Sequence, residues 1–464
     1  MNASTAVNRG IVRTAFLAGG FADRLDAIAD SKRNKYPMAK PACPVGNLRL
    51  IDFQLRAAHQ AGLREFNFLV RHLPKSIEQI VNLSVGSGIY PESKTRFIHE
   101  GNEPLDTAGA VARFVVENGW DKNREDIIIV PSADIIHTQD LSVVIDAHLR
   151  NSADHGAVGT IVVNPVGWRH VDRLGTVRLE GMISREECEK GDAEFEQRLD
   201  DWVGISQGKS VRIQQFREKK PRSAATHLES CLSNLNNSSI YVFSADFFRT
   251  IIPMITTKKG DPLFSERYQP GGPTPFSDWG RHIFKWLTEQ NQIDRFPLDA
   301  FVMESGQYWM DAGTGESLRE GNMNVLDGKI NTGLDDTKFW TKEPWGWRGR
   351  NVYIHPDVEI SPYYPSIIGD NVVVEKGVKI VHCVIREGNV LREGVQTYGS
   401  VFFPKPHDKP DSNEIGARSK IVDSILLGGN LEPDSLVERQ MRYSPVTGMA
   451  KGSMLGKTKF DVHE

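Results

Sequence analysis

Cysteine is scarce, with four in 464 residues at Cys43, Cys188, Cys231 and Cys383. No two form a Cys-x-x-Cys pair, so a zinc site built on paired thiolates is not expected. They read as reduced core residues, which points to a reducing, cytoplasmic setting. The sequence has no apolar run of roughly 18 residues, so no segment is expected to span a bilayer. Met1 to Arg13 is polar and lacks the apolar stretch of a secretory signal. Excess charge of one sign is also missing. A formal net charge of −4 offers no basic surface for a polyanion, so nucleic acid is not an expected partner. What remains, 39% hydrophobic and 25% charged, is an ordinary globular composition, in a chain too long for one core. Two domains are expected.

The first two thirds alternate short apolar runs with helical patterns. Ile11 to Leu17 reads as a buried strand that stops at Gly19-Gly20. Asp52 to Ala61 has apolar residues at helical spacing, and Glu65 to Val70 reads as the next strand. Asp126 to Val130 is a strongly apolar strand ending at Pro131-Ser132-Ala133-Asp134; a helix over Leu141 to Arg150 and a strand over Ala157 to Val163 follow. Such alternation predicts an α/β fold with a Rossmann-like, mainly parallel sheet. Ligands in such sheets collect at the carboxyl ends of strands, which directs attention to Gly19-Gly20 and Asp134.

The last third differs. Glu343 to Arg350, rich in Trp, Pro and Gly, reads as a linker. Beyond it valines recur every six residues at Val372, Val378, Val384 and Val390, with Val352 and Val358 before them and Ile415 and Ile421 after. That step fits neither a helix nor a hairpin, and predicts a parallel β-helix in which each short face supplies one inward apolar residue. Phe403 to Ser412 breaks the period with three prolines and reads as a protruding loop. The expected division is a first domain over 1–335, a linker over 336–350, a β-helix over 351–438 and a tail over 439–464.

Five segments carry residues suited to phosphate chemistry. In Leu17-Ala18-Gly19-Gly20 the paired glycines let backbone amides approach a phosphate, and Arg24, four residues on, supplies a guanidinium for it. Lys40 lies between Pro37 and Pro41, which stiffen its backbone. Asp134, just past an apolar strand, is placed to hold a hard cation through oxygen, although a turn or cap role has the same signature. Asp311, in Tyr308-Trp309-Met310-Asp311-Ala312-Gly313, is a second carboxylate of this kind. Two aspartates and a divalent cation suit phosphoryl chemistry, where charge on the transferring group must be neutralised. Glu218-Lys219 pairs a hydrogen-bond acceptor with a cation, or is a solvated turn.

In this order the segments resemble the sugar-1-phosphate nucleotidyltransferases, and within them most closely the glucose-1-phosphate adenylyltransferase (ADP-glucose pyrophosphorylase) group. The resemblance rests on Gly19 to Leu25, Ala39 to Ala42, Arg49 to Phe53, Asp106 to Ala110, Ser132 to Asp134, Leu174 to Val177, Phe216 to Pro221, Ser239 to Phe243 and Trp309 to Thr314. It covers nearly the whole chain and implies a left-handed C-terminal β-helix. It further implies transfer of a nucleotidyl group from a nucleoside triphosphate to a sugar 1-phosphate, ATP and glucose 1-phosphate first, serving glycogen or storage-glucan synthesis. GDP-mannose or UDP-glucose formation, or a noncatalytic regulatory subunit, are the alternatives. The residues implied are Arg24, Lys40 and Asp134 for catalysis, and Leu17, Ala18, Gly19, Gly20, Thr107 and Ala108 for the nucleotide. Gly175, Glu218, Lys219, Asn237 and Ser238 would hold the sugar phosphate, and Asp134 and Asp311 would hold Mg2+. Family members are often allosteric, so a homo-oligomer, dimer or tetramer, is expected. The chain departs from the family pattern at Ala22, at Asp106, at Asn237 and Ser238, and in a longer stretch between Arg24 and Lys40.

Overall fold

The computed structural model describes residues 11–20, 25, 38–100, 105–168, 171, 174–184, 187–188, 192–218, 232–255, 276–290, 292–334, 339–404, 413–428 and 430–442. Ala22, Arg24 and Lys219 lie outside these, as do most of the 403–412 segment and of the tail.

The apolar runs become strands because β-branched and aromatic side chains pack well on a pleated surface. β1 (Val12–Thr14) and β2 (Phe16–Leu17) divide the first run. β3 (Pro44–Val45) and β4 (Leu48–Arg49) form a small antiparallel hairpin. Then come β5 (Glu65–Val70), β6 (Lys94–His99), β7 (Ile127–Pro131), β8 (Ile135–His137) and β9 (Gly159–Pro165). β10 (Thr176–Leu179), β11 (Ser210–Arg217), β12 (Leu235–Ser244), β13 (Leu298–Val302) and β14 (Trp309–Asp311) complete this part.

The main sheet has seven strands in the order β1-β7-β12-β10-β11-β13-β9, with β12 also paired to β9. It is mixed rather than mainly parallel. β1 runs parallel to β7 and β13 to β9, whereas β12 runs antiparallel to β7, β9 and β10, and β11 antiparallel to β10 and β13. Parallel pairing needs a crossover that returns the chain to its starting edge. The helix Asp192–Ser206 between β10 and β11 leaves those two strands antiparallel, a choice that periodicity along one segment does not encode. The all-parallel arrangement survives in the small sheet β2-β5-β6, whose carboxyl ends bring Leu17, Val70 and His99 side by side.

β7 explains its own composition. All five residues are buried; Ile128 and Val130 join an apolar cluster with Phe114, Phe243 and Trp279, while Ile127 and Ile129 join another with Phe16, Ile51 and Val144. A strand covered on both faces has no polar side to show.

The C-terminal part is a stack of short parallel strands on three faces. One face runs through Gly346–Arg348, Ser366–Ile368, Val384–Ile385, Val401–Phe402, Ile425–Leu426 and Met441–Arg442. The second runs through Tyr353–Ile354, Val373–Val374, Asn389–Leu391 and Asn413–Ile415, and the third through Glu359–Ile360, Lys379–Val381, Gln396–Tyr398, Lys420–Val422 and Leu436–Glu438. Val372, Val374, Val378, Ile380, Val395 and Ile421 fill the space between the faces. The expected linker is not free chain. Thr341–Glu343 pairs antiparallel with Gly346–Arg348 and opens the first face, with Trp347 buried against it.

One apolar cluster crosses from the first part to the second. It joins Val45, Leu50, Ile136, Leu318 and Val325 to Ile367, Val384, Val401 and Ile425. The stack thereby packs on the β3–β4 hairpin and on the helix Gly315–Leu326.

Candidate active site

Three residues singled out far apart in the sequence meet in space. Lys40 begins a single 3-10 turn, Lys40–Ala42, stiffened by Pro41. Its Nζ stands 2.9 Å from Asp134 Oδ2 and 2.8 Å from Asp311 Oδ1. The two carboxylates are brought together by one ladder: β8 begins next to Asp134, and β14 ends on Asp311, which pairs with Ile135. Ser132 Oγ donates to Asp134 Oδ1 at 2.6 Å and fixes that carboxylate. Lys40 is 7% exposed. Burial alone would lower its pKa, but the two facing carboxylates override it and push the ammonium up to about 12. The lysine is therefore a permanent cation. Cys43, one turn on, is pushed up to about 12 by burial and stays an inert thiol.

The Leu17–Gly20 segment runs alongside this centre. Leu17 bridges to Ser132, its carbonyl accepts from Ala133 N at 2.9 Å, and Ala18 N donates to Leu69 O at 3.0 Å. Gly19 leaves room here for a neighbouring carboxyl. A Cβ on it would stand 2.5 Å from Glu100 Oε1, which lies at the end of β6. Burial pushes Glu100 up to about 7, against the pull of Arg71 and Arg113. Sequence reasoning missed Glu100, because only the parallel register of β2, β5 and β6 brings it to Gly19.

Thr107 and Ala108 open the helix Asp106–Glu117. Their polar groups are already engaged. Thr107 Oγ1 donates to Asp278 Oδ2 at 3.3 Å, and the amides of Ala108 and Gly109 donate to Ser277 O at 2.8 and 2.9 Å. Segment 277–281, not singled out from the sequence, is thus the partner of the predicted nucleotide residues. Trp279 anchors it by stacking on Phe243, ring centroids 4.5 Å apart. A π-helical turn, Trp279–Phe284, then carries Arg281, which pairs with Asp278 at 3.1 Å and Asp106 at 3.5 Å. Burial would raise Asp278; its hydrogen bonds from Arg281 hold it below the usual carboxylate range. The usable sequence signal was an aspartate followed by an aromatic and a glycine.

Glu218 Oε2 lies against the backbones of Gly175 and Gly280, where a Cβ would stand 3.2 and 2.2 Å from it. Asn237 N donates to Gly175 O at 2.9 Å, and Asn237 Nδ2 donates to Tyr241 Oη at 3.0 Å. β12 bulges here between Asn237 and Tyr241, with Ser239 at φ 61°, and Ser239 O accepts from Ser132 N at 2.9 Å. The bulge links the Gly175 backbone to that of Ser132, two residues before Asp134. Ser238 does not join it. It is fully buried, and its hydroxyl donates into the sheet, to Val162 O at 2.6 Å. An extended strand turns alternate side chains to opposite faces, and Ser238 falls on the inner one. Among the described residues, then, Lys40, Asp134 and Asp311 meet directly, Leu17 bridges to Ser132 beside them, and Glu218 and Asn237 both contact Gly175. No group of three or more His, Cys, Asp or Glu side chains placed to hold a metal occurs among the described residues. No described helix is long and apolar enough to cross a membrane.

Comparison with known proteins places the chain among known sequences. Curated relatives include glucose-1-phosphate adenylyltransferases of Bacillus thuringiensis (strain Al Hakam) and Bacillus anthracis. Each is 24% identical over 453 residues, covering 94% of this chain and 97% of the relative. Among solved structures, a UDP-glucose pyrophosphorylase from Acinetobacter baumanii overlaps 71% of this chain and 98% of its own, with a TM-score of 0.44 and 16% identity. The model of the nucleotidyl transferase family matches residues 14–328, a span that contains the Leu17–Gly20 segment, Lys40, Asp134, Glu218 and Asp311, and the chain belongs to that family of nucleotide-transferring enzymes.

Proposed function

We propose that this chain joins a nucleoside triphosphate to a sugar 1-phosphate and releases pyrophosphate, with ATP and glucose 1-phosphate as the leading pair and storage-glucan synthesis as the use. The observation that carries this is Lys40 held between Asp134 and Asp311 beside the Leu17–Gly20 segment. The names and full-length match of the adenylyltransferase relatives support the choice of substrates.

The chemistry follows from charge. The sugar phosphate oxygen is already anionic, so no general base is needed. It attacks the α-phosphorus in line, a new P–O bond forms, and the bond to the β-phosphate breaks. Lys40 stabilises charge on the α-phosphoryl oxygens. Glu218 accepts hydrogen bonds from sugar hydroxyls. Arg24 and Lys219 are assigned to the triphosphate and the sugar phosphate by the family resemblance.

The site fits Mg2+. One lysine between two carboxylates leaves the cluster net negative, which by itself repels a triphosphate. Mg2+ is commonly held by one or two carboxylates and completed by phosphate oxygens and water, and Asp134 and Asp311 are two such oxygen donors, both in contact with Lys40 Nζ. When bound, the ion supplies charge neutralisation for the leaving pyrophosphate.

A second reading concerns the base and the sugar, with GDP-mannose or UDP-glucose as the product. Glu100 stands beside Gly19, and burial raises it to about 7, so its carboxyl can donate a hydrogen bond to a base or accept one from it near neutral pH. Incubation with Mg2+, glucose 1-phosphate or mannose 1-phosphate and each nucleoside triphosphate, with pyrophosphate measured, separates these readings. Release with ATP and glucose 1-phosphate supports the first and release with GTP or UTP the second. Nucleotide binding without any release overturns both in favour of a regulatory subunit.

We further read the C-terminal stack as a left-handed parallel β-helix, supported by its three parallel faces, and the chain as the two-domain arrangement divided near residues 336–350. A dimer or tetramer is proposed, and light scattering on the purified chain tests it.

A further inference from the structure

We propose that Arg386, in the C-terminal stack, is a positioning residue of the transferase centre: it holds the hairpin that fixes the backbone of Lys40. This rests on reading Lys40, Asp134 and Asp311 as that centre.

Lys40 can stabilise a phosphoryl group only if its backbone is fixed. Its own turn has three residues. Cys43 N donates to Lys40 O at 3.0 Å, and Leu50 N closes onto Cys43 O at 3.0 Å. The placement of Lys40 therefore passes directly into the β3–β4 hairpin. That hairpin has only two residues in each strand, and an isolated hairpin of this size does not hold its shape in water.

Arg386 supplies what is missing. Its guanidinium is 1% exposed and reaches across from the stack to the hairpin turn, with Nη1 donating to Gly46 O at 3.1 Å and Leu48 O at 2.8 Å. The rest of the fork is held by Glu387, at 2.9 Å from Nε and 2.7 Å from Nη2. Burying a guanidinium is costly, and well-packed apolar residues serve packing alone at least as well. The neighbouring contacts from the stack are apolar, through Ile367, Val384, Val401 and Ile425. What a fork of fixed donors adds is direction: it selects one position of two carbonyls.

The hairpin is gripped on its opposite side by the segment that carries Asp311. Asn322 Oδ1 accepts from Gly46 N at 2.8 Å, and Asn322 Nδ2 donates to Pro44 O at 3.0 Å. Asn322 belongs to the helix Gly315–Leu326, whose N-cap Thr314 lies three residues after Asp311. Gly46 has φ 59°, and a Cβ there would strike Val325 of the same helix. That helix is tied to the stack as well, through Arg319 to Gly399 O at 2.8 Å and to Asp423. The carriers of Lys40 and Asp311 are thus bound to each other and braced together from the stack.

The test uses the full-length enzyme. Arg386→Met with Glu387→Gln removes the fork without leaving a buried carboxylate unpaired, and Arg386→Lys keeps the charge with a single donor point. The readouts are kcat, KM for both substrates, thermal midpoint, and the acylation rate of Lys40 with acetic anhydride, followed by peptide mass mapping. Because small misplacements of a reacting group cost up to about 100-fold, the double variant is expected to lose about 10- to 100-fold in kcat. Both KM values should stay within about two-fold. Lys40 should be acylated several times faster than in the parent, with Arg386→Lys intermediate. Unchanged Lys40 acylation, or a kcat within about two-fold of the parent in a folded variant, overturns the proposal. So does a rise in both KM values with kcat preserved. If the double variant does not fold, Arg386→Lys carries the same comparison. Should the parent release no pyrophosphate with any substrate pair, the transferase reading falls, and the acylation comparison still decides whether Arg386 sets Lys40.

Discussion

The sheet region and the C-terminal stack bury their apolar residues in different ways, and the described residues of the candidate site lie where burial is irregular. In the stack, Val374, Leu391 and Ile415 repeat one solution coil after coil. In the sheet region the core is built from large, unlike rings, such as Trp279 on Phe243 and Phe16 on Phe68. Strand ends and a bulge carry Asp134, Asn237 and Asp311, and a single 3-10 turn carries Lys40. The stack departs from its own rule at Arg386, and there it meets the hairpin behind Lys40. A regular repeat stabilises, and its exceptions mark where it acts on something else.

The sharpest break of this comparison is Asp134→Ala. Removing one preorganised charge from a phosphoryl-transfer site costs about 100- to 1,000-fold in kcat, with the circular dichroism spectrum unchanged. Near-normal pyrophosphate release would remove Asp134 from the centre. Next in size is a cavity in the repeat. Ile380→Ala should destabilise by about 2–5 kcal/mol, seen as a lower denaturant midpoint, while kcat stays near that of the parent. A matching loss of kcat would mean that the stack's interior, and not only its exceptions, is coupled to the site. Lys219→Ala should raise KM for the sugar phosphate and change kcat less; an unchanged KM shifts that role to Lys220.

The smallest effects are in pH, and the two regions should respond with opposite sign. Glu100 holds its proton up to about 7 against an ordinary 4.5, because it is buried. The folded state then binds more protons than the unfolded one between those values, so this group's contribution to stability falls as pH rises through that window. Glu387 is the reverse. Burial would raise it, but the Arg386 fork holds it at about 2. Its contribution is present above 4.5 and is lost as pH falls toward 2. Thermal melts of Glu100→Gln and Glu387→Gln between pH 3 and pH 8, values set by those two windows, should each flatten one limb of the parent's curve. A flat parent curve would refute both assignments.

Much of this site was legible in order along the chain. The paired glycines after an apolar strand, a lysine stiffened by proline, and aspartates after apolar segments are local signals. Each marks a residue whose neighbours in sequence already limit what it can do. The six-residue valine step was legible as a local repeat, and the structure buries Val372, Val378 and Val384 while leaving Val390 half-buried. What the chain did not show was Glu100 against Gly19, Asp278 under Thr107, or Ser238 turned into the sheet toward Val162. Nor did it show that the central sheet is mixed, or that residues 341–348 pair into the stack. These depend on strand order and register, which are settled by packing between distant segments. By itself the sequence determined which residues carry charge and how stiffly each is held, because these are properties of a residue and its immediate neighbours. Only the tertiary structure decided that Lys40 lies between Asp134 and Asp311, 94 and 271 positions away, and that Arg386 braces it, because the register of β8 with β14 and the seat of the stack on the hairpin are contacts no single segment contains.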